Sequence, residues 1–479
     1  MKKQGGKSIR RLMWVGGEWR DSGDSITVIS PFSGKKIAAV TTADPDLVER
    51  SIAAGAEAAR LMKSFPRFRI AKALRFIAEE IERRKAEFID LIVAEAAKPV
   101  TYARDEVERA IATFSFARGE TERFSGEIVP IDAQSSGSGK WARTIRIPRG
   151  VIYGITPFNF PLNLVAHKVA PALASANAVI IKPSPRTPLT ALLLAEVFQS
   201  CGLPGAAFQV VPADVSFVRN YLDDERIAMI SFTGSADVGW KLKEHAGRKA
   251  VALELGGAAP VIVDRSADFE KSLSRCLIGA FAYSGQVCIS VQRIYVESKI
   301  FSDWISVFTT RAEALRRGDP ANESTQISVM IDESAAMRTE KWVAEAIDGG
   351  AKILTGGRRE GAFYEPTVLT DTDPEMKVVS EEVFAPVVTV EIFDDFEAAV
   401  EMANHSKYGL QAGVFSNNAA NIEYAAENLE YGGVIINEVP IFRVDNMPYG
   451  GVKESGFGRE GVRYAMEEMT EQRLIVYAR

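Results

Sequence analysis

The chain has 479 residues, of which 47% are hydrophobic and 25% charged, and its formal net charge is −6 at pH 7. This length predicts roughly two or three domains, and no stretch approaches the roughly 18 uninterrupted apolar residues that span a bilayer. The modest negative charge argues against a nucleic-acid-binding protein, which usually has a basic surface. No apolar segment follows the basic residues 1–6, so we expect no signal peptide.

The counts of cysteine and histidine limit the chemistry further. Three scattered cysteines, Cys201, Cys276 and Cys288, favour a reducing, cytoplasmic location over a disulfide framework. Only three histidines occur, far apart and without a nearby second ligand, so we expect no metal site. A cysteine–histidine pair in space stays open, but a carboxylate is the expected general base.

The first third of the chain has helical patterns. Asp44 and Pro45 give the N-cap and first-turn signal of a helix that runs to about residue 65. A second helix is predicted over about 66–97, and Pro99 is expected to end it. A third is predicted over about 101–124.

Residues 150–437 alternate between strand and helix patterns. Apolar runs predict strands at 151–155, 178–181, 208–211, 227–232 and 251–255. Helices are predicted around 162–175, 187–200, 214–222 and 235–247. A second alternating region begins with a helix over 267–284, a strand over 290–296 and a helix over 300–315. Such alternation predicts parallel βαβ units.

Two segments outside this alternation predict a β arm. Residues 125–149 hold a Ser/Gly-rich turn between β-leaning residues, and an apolar run at 474–477 lies near the C-terminus. An exposed strand needs a partner. We therefore expect the C-terminal strand to pair with the 125–149 arm, with the arm of another subunit as one option.

Two glycine-containing motifs compete as phosphate sites. Residues 456–461 match the dinucleotide fingerprint GxGxxG, but no predicted strand precedes them, and that motif works only between a strand and a helix. Gly234 and Ser235 follow a predicted strand and begin a helix, where backbone N–H groups and the helix dipole favour an anion. An ordinary serine-capped helix also explains this second motif and is the commoner case.

Four further residues are candidates for chemistry, each with a plain structural alternative. Lys182 follows a strand and could contact a ribose or phosphate, unless it is simply solvated. Glu254 ends an apolar strand, where burial would raise its pKa toward that of a general base, unless it points to solvent. Asn159 lies between two prolines that could present its amide to a ligand, or it is a turn residue. Cys288 lies in a turn, although a lone cysteine is more often a buried structural residue.

These residues and the segments around them, in this order, resemble the aldehyde dehydrogenase superfamily over nearly the whole chain. The matching stretches are 155–162 (ITPFNFPL), 168–182 (KVAPALASANAVIIK), 232–235 (FTGS), 253–257 (LELGG), 285–288 (GQVC), 381–386 (EEVFAP) and 448–458 (PYGGVKESGFG). The resemblance implies an α/β fold with two Rossmann-like parallel-sheet domains and a small β oligomerisation arm. Residues 1–124 and 148–255 would form the dinucleotide-binding domain, 256–445 the catalytic domain, and 125–147 with 462–479 the arm of a homodimer or homotetramer.

The resemblance also implies a reaction, in which an aldehyde is oxidised to the carboxylic acid with NAD or NADP. The reaction passes through a thiohemiacetal and a thioester on Cys288. Asn159 and the backbone N–H of Cys288 match the oxyanion hole, Glu254 the base that activates water, and Lys168 a lysine that supports the site. The positions that match cofactor contacts are Ile155, Thr156, Phe158, Lys182, Ser184, Gly234, Ser235, Leu255, Glu382 and Phe384.

Several positions bear on cofactor and substrate choice. Pro185 stands where NAD-preferring members often carry a glutamate, so an element that repels the NADP phosphate is missing and either cofactor is expected. Val287 stands where relatives that take phosphorylated or phosphonate aldehydes can carry arginine, so it argues against such a substrate. Arg109, Arg443 and Tyr449 match the substrate tunnel, and two arginines there favour an anionic or small polar aldehyde, unless they form salt bridges. Arg443→Ala is then expected to raise the KM for an anionic semialdehyde far more than for a neutral aldehyde.

Two other functions stay open. One is a CoA-acylating member of the superfamily, whose methylmalonate-semialdehyde type lacks the glutamate corresponding to Glu254. The other is a dehydrogenase-like structural or ligand-binding protein, which would tend to lose the nucleophile or the base. Production of NAD(P)H over a panel of aldehydes, with and without CoA, distinguishes the three functions.

Overall fold

The structure, a computed structural model, describes residues 10–478. The expectation about a signal peptide concerns residues outside this range, and Arg479 also lies outside it. The helices are α1 Pro45–Met62, α2 Arg67–Arg83, α3 Lys85–Ala96, α4 Val100–Arg123, α5 Asn163–Ala174, α6 Leu189–Phe198, α7 Val218–Asp223, α8 Ala236–His245, α9 Phe269–Phe281, α10 Ser298–Glu313, α11 Glu333–Asp348, α12 Lys377–Ser380, α13 Phe396–Asn404, α14 Ala419–Asn428 and α15 Val462–Glu468.

The strands form two large sheets and several small ones. They are β1 Arg10–Arg11, β2 Met13–Val15, β3 Glu18–Arg20, β4 Ser25–Ile29, β5 Lys36–Thr41, β6 Ile128–Val129, β7 Lys140–Pro148, β8 Val151–Ile155, β9 Ala178–Lys182, β10 Phe208–Val210, β11 Ile227–Thr233, β12 Ala250–Glu254, β13 Ala259–Val263, β14 Val291–Glu297, β15 Lys352–Thr355, β16 Arg359–Glu360, β17 Phe363–Tyr364, β18 Thr367–Thr370, β19 Val387–Phe393, β20 Tyr408–Gly409, β21 Gln411–Phe415, β22 Gly433–Ile436, β23 Val452–Lys453, β24 Gly456–Phe457 and β25 Thr470–Ala478.

The first large sheet has the order β24-β12-β11-β8-β9-β10-β2-β3. Its five middle strands run parallel, whereas β24 and the β2–β3 hairpin add antiparallel edges. The five predicted strands are these parallel strands, so the expectation of βαβ units is confirmed. Helix α5 packs on this sheet and on α4, and it is buried along its whole length.

The second large sheet has the order β15-β18-β19-β14-β13-β21-β22. All of its pairs are parallel except the edge pair β15–β18. Helices α9 and α10 pack against the centre of this sheet around Trp304 and Phe308. All seven strands lie within residues 256–445, and the predicted domain limits themselves stay a prediction.

The arm is a three-stranded antiparallel sheet, β25-β7-β6. Residues of β25 pair with β7 from Thr470 opposite Pro148 to Ala478 opposite Lys140. The predicted pairing is therefore confirmed, and it takes place within the chain. β25 forms one edge of the arm sheet, and its Leu474 and Val476 are 55% and 49% exposed.

Some helix predictions were wrong in their limits. The helix expected over 66–97 is two helices, α2 and α3, because Arg84 leaves helical geometry (φ −99°, ψ 16°). There its guanidinium binds Glu87 and Glu196. The helix expected over 267–284 ends at Phe281, and the one at 214–222 begins only at Val218, after a 3₁₀ turn. Within residues 10–478, no helix has both the length and the hydropathy that crossing a membrane requires.

Candidate active site

Cys288 lies in the turn between α9 and β14. The chain reaches it through three left-handed residues, 283–285, with φ between 49° and 69°. A Cβ on Gly285 would lie 2.0 Å from the carbonyl oxygen of Ala385, so only glycine fits there. The turn is therefore fixed against the loop that carries residues 382–384.

Two cavities meet at Cys288. The larger, which we call the substrate cavity, has a volume of about 400 Å³ and is lined by Val287 and by charged residues of α4 and α9. The smaller, which we call the nucleotide cavity, has a volume of about 210 Å³ and lies at the ends of β11 and β12. Cys288 and Leu164 line both. A nucleophile at this junction can contact molecules held on either side.

The nucleotide cavity lies where the first sheet changes its winding direction. From β8 the chain proceeds to β9 and β10 on one side, and then to β11 and β12 on the other. Open α/β sheets bind ligands at the carboxyl ends of the strands at such a point. Gly234 and Ser235 lie there at the start of α8, and the Ser235 side chain makes no capping hydrogen bond. Its hydroxyl and the N–H groups of α8 can therefore bind an anion.

The opposite wall of the nucleotide cavity contains Glu382, whose carboxylate accepts a hydrogen bond from the N–H of Gly257 at 3.3 Å. Burial raises the pKa of Glu382 to about 7. A Cβ on Gly256 would lie 2.3 Å from this carboxylate, so the glycine makes room for it. Phe158 and Phe384 meet edge to face with ring centroids 5.8 Å apart. A helix N-terminus for phosphate, an acceptor for sugar hydroxyls and apolar rings together fit a dinucleotide.

The remaining predicted cofactor residues are divided between the cavity and the neighbouring strand ends. Leu255 lines the nucleotide cavity. Ile155 is the last residue of β8, and the N–H of Thr156, which follows it, donates to the carbonyl of Lys182 at the end of β9 (3.2 Å). Burial lowers the pKa of Lys182, and the nearby Asp214 partly offsets this. The hydroxyl of Ser184 accepts a hydrogen bond from the N–H of Arg186 at 3.2 Å.

Asn159 is buried in the wall of the nucleotide cavity beside Cys288. Its Nδ2 donates to the carbonyl of Gln286 at 3.0 Å, and its Oδ1 has no hydrogen-bond partner among the described residues. An amide nitrogen carries two N–H groups, so the second can serve an oxygen of a ligand. The bond to Gln286 fixes the amide against the turn that holds the thiol.

Glu254 ends β12 and is buried, and neither of its carboxylate oxygens has a hydrogen-bond partner among the described residues. Burial, together with the negative charge of Glu460, raises the pKa of Glu254 well above its usual value. The expectation that burial raises this pKa is therefore confirmed. A carboxyl group with free lone pairs and a raised pKa can take a proton from water.

A buried charge network lies behind Glu254. Lys168 on α5 donates to Ser231 (3.1 Å), to Thr233 (2.8 Å) and to Glu460 (3.3 Å). Glu460 also pairs with Arg443 at 3.1 Å. Burial would raise the pKa of Glu460, but the charges of Lys168, His167 and Arg443 lower it to about 2. Glu460 therefore stays ionised, and its negative charge is one cause of the raised pKa of Glu254.

The substrate cavity contains four cationic side chains, and each has a carboxylate partner. The pairs are Lys98–Glu106 (2.5 Å), Arg109–Asp445 (2.8 Å), Arg275–Glu438 (2.6 Å) and Arg443–Glu460 (3.1 Å). Arg275 binds through Nε alone, which leaves both of its terminal nitrogens free, and Arg109 binds through Nε and Nη2. Both are partly exposed, so their remaining N–H groups can bind a ligand.

Sequence reasoning missed several residues of this site. Arg275 belongs to no sequence motif. Its place in the site becomes evident only when α9 is seen to pack beside Cys288. His167 is buried against Asp445, with Nε2 2.7 Å from its carboxylate, and burial lowers the pKa of His167. Glu460 lies inside the GxGxxG segment, which enters the site through this carboxylate. Of these residues, only His167 could have been identified from the sequence, because it is adjacent to Lys168, which matches a residue of the family's site.

The other cysteines lie away from both cavities. Cys276 is buried in the core beneath the second sheet, and Cys201 packs at the edge of the first core. Within residues 10–478, no group of three or more His, Cys, Asp or Glu side chains is arranged to hold a metal ion.

Known proteins resemble this chain over nearly its whole length. The sequence model of the "Aldehyde dehydrogenase family" matches residues 19–475. The chain is 40% identical to the 3-sulfolactaldehyde dehydrogenase of Priestia aryabhattai over 465 residues, which cover 97% of each chain. It matches aldehyde dehydrogenase 21 from Physcomitrella patens, solved in complex with the reaction product succinate, with TM-score 0.97, 38% identity and coverage of 98% of this chain and 99% of that one.

A third protein with a solved structure is glyceraldehyde-3-phosphate dehydrogenase from Methanocaldococcus jannaschii, complexed with NADP. It matches with TM-score 0.92 and 37% identity, covering 96% of this chain and 100% of that one. Since these alignments include both large sheets and the arm, the expected fold class is confirmed.

Proposed function

The chain belongs to the aldehyde dehydrogenase family and is an NAD(P)-dependent aldehyde dehydrogenase, and on that premise we propose how it acts and on what. Its nucleophile is Cys288, and its substrate is a small aldehyde that carries a hydroxyl or an anionic group. The observation that carries this proposal is the position of Cys288, which lines both cavities. The thiol can thus reach an aldehyde in one cavity while the other holds the dinucleotide.

The first half of the reaction forms a thioester on Cys288. The thiolate adds to the aldehyde carbon, and the free N–H of Asn159 stabilises the oxyanion that forms, an effect typically of about 3–4 kcal/mol. NAD(P)+, when bound, supplies the two-electron acceptor. The bond between Asn159 and the carbonyl of Gln286 keeps the amide beside the sulfur throughout.

The second half of the reaction hydrolyses the thioester. Glu254 takes a proton from water, the resulting hydroxide attacks the acyl carbon, and the carboxylic acid leaves as the Cys288 thiolate is restored. Because both Glu254 oxygens lack protein partners, they are available to that water. Lys168 donates a hydrogen bond to Glu460 and so balances the negative charge of this second carboxylate near Glu254.

An anionic or hydroxylated substrate agrees with the arginines of the substrate cavity. Arg109 and Arg275 are held in place by Asp445 and Glu438 and retain free N–H groups. The relatives named above point the same way, since sulfolactaldehyde, succinate and glyceraldehyde 3-phosphate each carry an anionic group. Val287 keeps the space next to the thiol apolar, which suits a charge at the far end of a short chain.

The test is an aldehyde panel with the purified enzyme, with NAD+ or NADP+ and with or without CoA. We expect NAD(P)H to form without CoA, and faster with succinic semialdehyde or glyceraldehyde than with butyraldehyde. Cys288→Ser should remove activity on all of them. Dependence on CoA would identify an acylating enzyme, and no NAD(P)H from any aldehyde would favour a non-catalytic protein.

The region around Lys182 supports use of NADP+ as well as NAD+. Pro185 and Arg186 follow Lys182, and Arg186 is exposed and pairs with Asp332 at 2.7 Å. No carboxylate follows Lys182 on its own loop to repel a 2′-phosphate. Comparable kcat/KM values for the two cofactors are expected in the panel, and a preference for NAD+ above about 100-fold would contradict this.

The arm supports a homodimer or homotetramer. β25 forms an open edge with apolar residues exposed, and such edges recruit further strands. Light scattering that gives a monomer of 52.3 kDa would contradict this. The three unpaired cysteines suit a cytoplasmic location, which fractionation of the source cells would test.

A further inference from the structure

We infer that Tyr449 is a catalytic residue whose hydroxyl donates a hydrogen bond to the Cys288 thiolate, and that Arg443 is a positioning residue that strengthens this donor through the tyrosine ring. The inference rests on the proposed function only in taking Cys288 as the nucleophile. It assigns to Tyr449 a role at the reacting sulfur itself, beyond lining the substrate cavity.

The geometry aims the tyrosine at the sulfur. Its hydroxyl lies 3.1 Å from the Cys288 Sγ, and no other described residue forms a hydrogen bond with it. The ring packs with Ile289 and Leu410 in a small apolar cluster. The backbone is fixed by paired hydrogen bonds with Glu460, at 3.0 and 2.7 Å. The hydroxyl therefore has a defined position and a single partner.

The direction of the hydrogen bond follows from the acidities of the two groups. Burial raises the pKa of Tyr449 well above its usual value, so the phenol keeps its proton. Burial also raises the pKa of Cys288, to about 11, and the hydrogen bond from Tyr449 opposes that rise. An O–H that donates to an anion stabilises the anion, so this contact raises the fraction of thiolate, the nucleophilic form.

Arg443 stands over the tyrosine ring. Its guanidinium carbon lies 3.7 Å from the ring centroid, and its Nη2 lies 3.4 Å from both ring nitrogens of His167. The guanidinium is thus held between two rings and anchored by Glu460. A cation against the ring face attracts electron density, which makes the phenol O–H a stronger donor.

The other charged groups near the thiol act against its ionisation. The charges of Glu382 and Glu254 raise the pKa of Cys288, whereas Arg443 lowers it. Tyr449 and Arg443 are therefore the groups on the described chain that favour the thiolate in the resting enzyme.

The test measures the thiol without any aldehyde or nucleotide. The rate of alkylation of the full enzyme by iodoacetamide is followed between pH 7 and 9, with Cys288→Ser giving the background from Cys201 and Cys276. Tyr449→Phe keeps the ring and removes the hydroxyl. We expect its rate to fall about 3- to 10-fold, because the thiolate fraction falls about 10- to 100-fold while the intrinsic nucleophilicity of the sulfur rises in part.

Two further variants complete the series. Arg443→Met should lower the alkylation rate by a smaller factor, and Arg443→Lys should restore part of it because the charge is kept. Tyr364→Phe removes a buried hydroxyl on a residue that lines neither cavity, and it should leave the rate unchanged. If an Arg443 variant does not fold, Tyr449→Phe alone decides.

An alkylation rate in Tyr449→Phe equal to that of the unmodified enzyme would overturn the inference. So would a variant in which only the KM for aldehyde changes, since Tyr449 would then be a substrate contact. An enzyme that oxidised no aldehyde would refute the proposed function, yet its alkylation profile would still report on Tyr449.

Discussion

The two cavities that meet at Cys288 are built on opposite principles. In the substrate cavity every cationic side chain is matched by a carboxylate. Asn159 Oδ1 and both oxygens of Glu254, in the nucleotide cavity, have no hydrogen-bond partner among the described residues, whereas the substrate cavity has one such side-chain atom, Arg443 Nε. A buried polar atom without a partner typically costs about 1–3 kcal/mol. The unpartnered acceptor oxygens therefore lie where bonds are made and broken, whereas the cations that hold a substrate are paired.

Glu254→Gln tests the nucleotide cavity most strongly. The variant loses the base for hydrolysis but keeps the thiol, so steady-state turnover should fall about 100- to 10,000-fold. A first burst of NAD(P)H, stoichiometric with enzyme, should remain because the thioester forms without this base. Rapid-mixing absorbance at about 340 nm, where both NADH and NADPH absorb, measures the burst and the steady state in one experiment.

The pH dependence gives the matching control for Glu254. Its raised pKa means that the ionised form is lost while pH is still above the usual carboxyl range, so hydrolysis should slow about tenfold per pH unit below that pKa. The pH–rate profile of Glu254→Gln should lack this decrease at low pH. A burst lost to the same extent as turnover would contradict the assignment of Glu254 to hydrolysis.

Asn159→Ala tests the other unpaired group and should have a somewhat smaller effect. Removal of one oxyanion donor typically lowers the rate about 100- to 1,000-fold, and here the burst itself should slow. Asn159→Asp, of nearly the same size, should be no better because it brings a negative charge to the oxyanion. If the burst rate of Asn159→Ala stayed normal, the oxyanion would have to be stabilised elsewhere.

Arg275→Met tests the substrate cavity and should have the smallest effect. Loss of a charged hydrogen bond should raise the KM for succinic semialdehyde about 10- to 100-fold, with little change for butyraldehyde. Arg104→Met is the control, because Arg104 pairs with Glu323 on the surface and lines neither cavity. Equal KM changes for both aldehydes would show that Arg275 supports structure rather than binding. The same comparison is less clear for Arg443→Ala, which also unpairs Glu460.

Local sequence patterns predicted the helices and strands better than the points where helices break or end. Asp44 caps α1 as expected, accepting a hydrogen bond from the N–H of Leu47, because such a cap depends on residues close in sequence. The break at Arg84 was missed, since the apolar period continues across it and Glu196, which pairs with Arg84 there, is distant in sequence. The end of α9 was missed because left-handed residues such as Tyr283 carry no sequence signal unless they are glycine.

The residues of the site fall into the same two groups, those that local motifs predict and those that depend on packing. Cys288, Asn159 and Glu254 were selected from motifs, and the structure brings them to one junction. The pairing of Arg109 with Asp445 and the contact between Tyr449 and the sulfur could not be predicted. They depend on how helices and loops distant in sequence pack against each other, which no spacing along the chain records.

The turn before the nucleophile has a consequence for how such an enzyme can change. Gly285 fits against Ala385 with no room for a side chain, and the side-chain oxygen of Gln286 accepts a hydrogen bond from the N–H of Ile331 at 2.8 Å. The path of the backbone is thus set by residues 285 and 286. Val287, next to the sulfur, faces the substrate cavity. A single substitution at 287 therefore changes the cavity wall that a substrate meets, while the backbone that positions the thiol stays fixed.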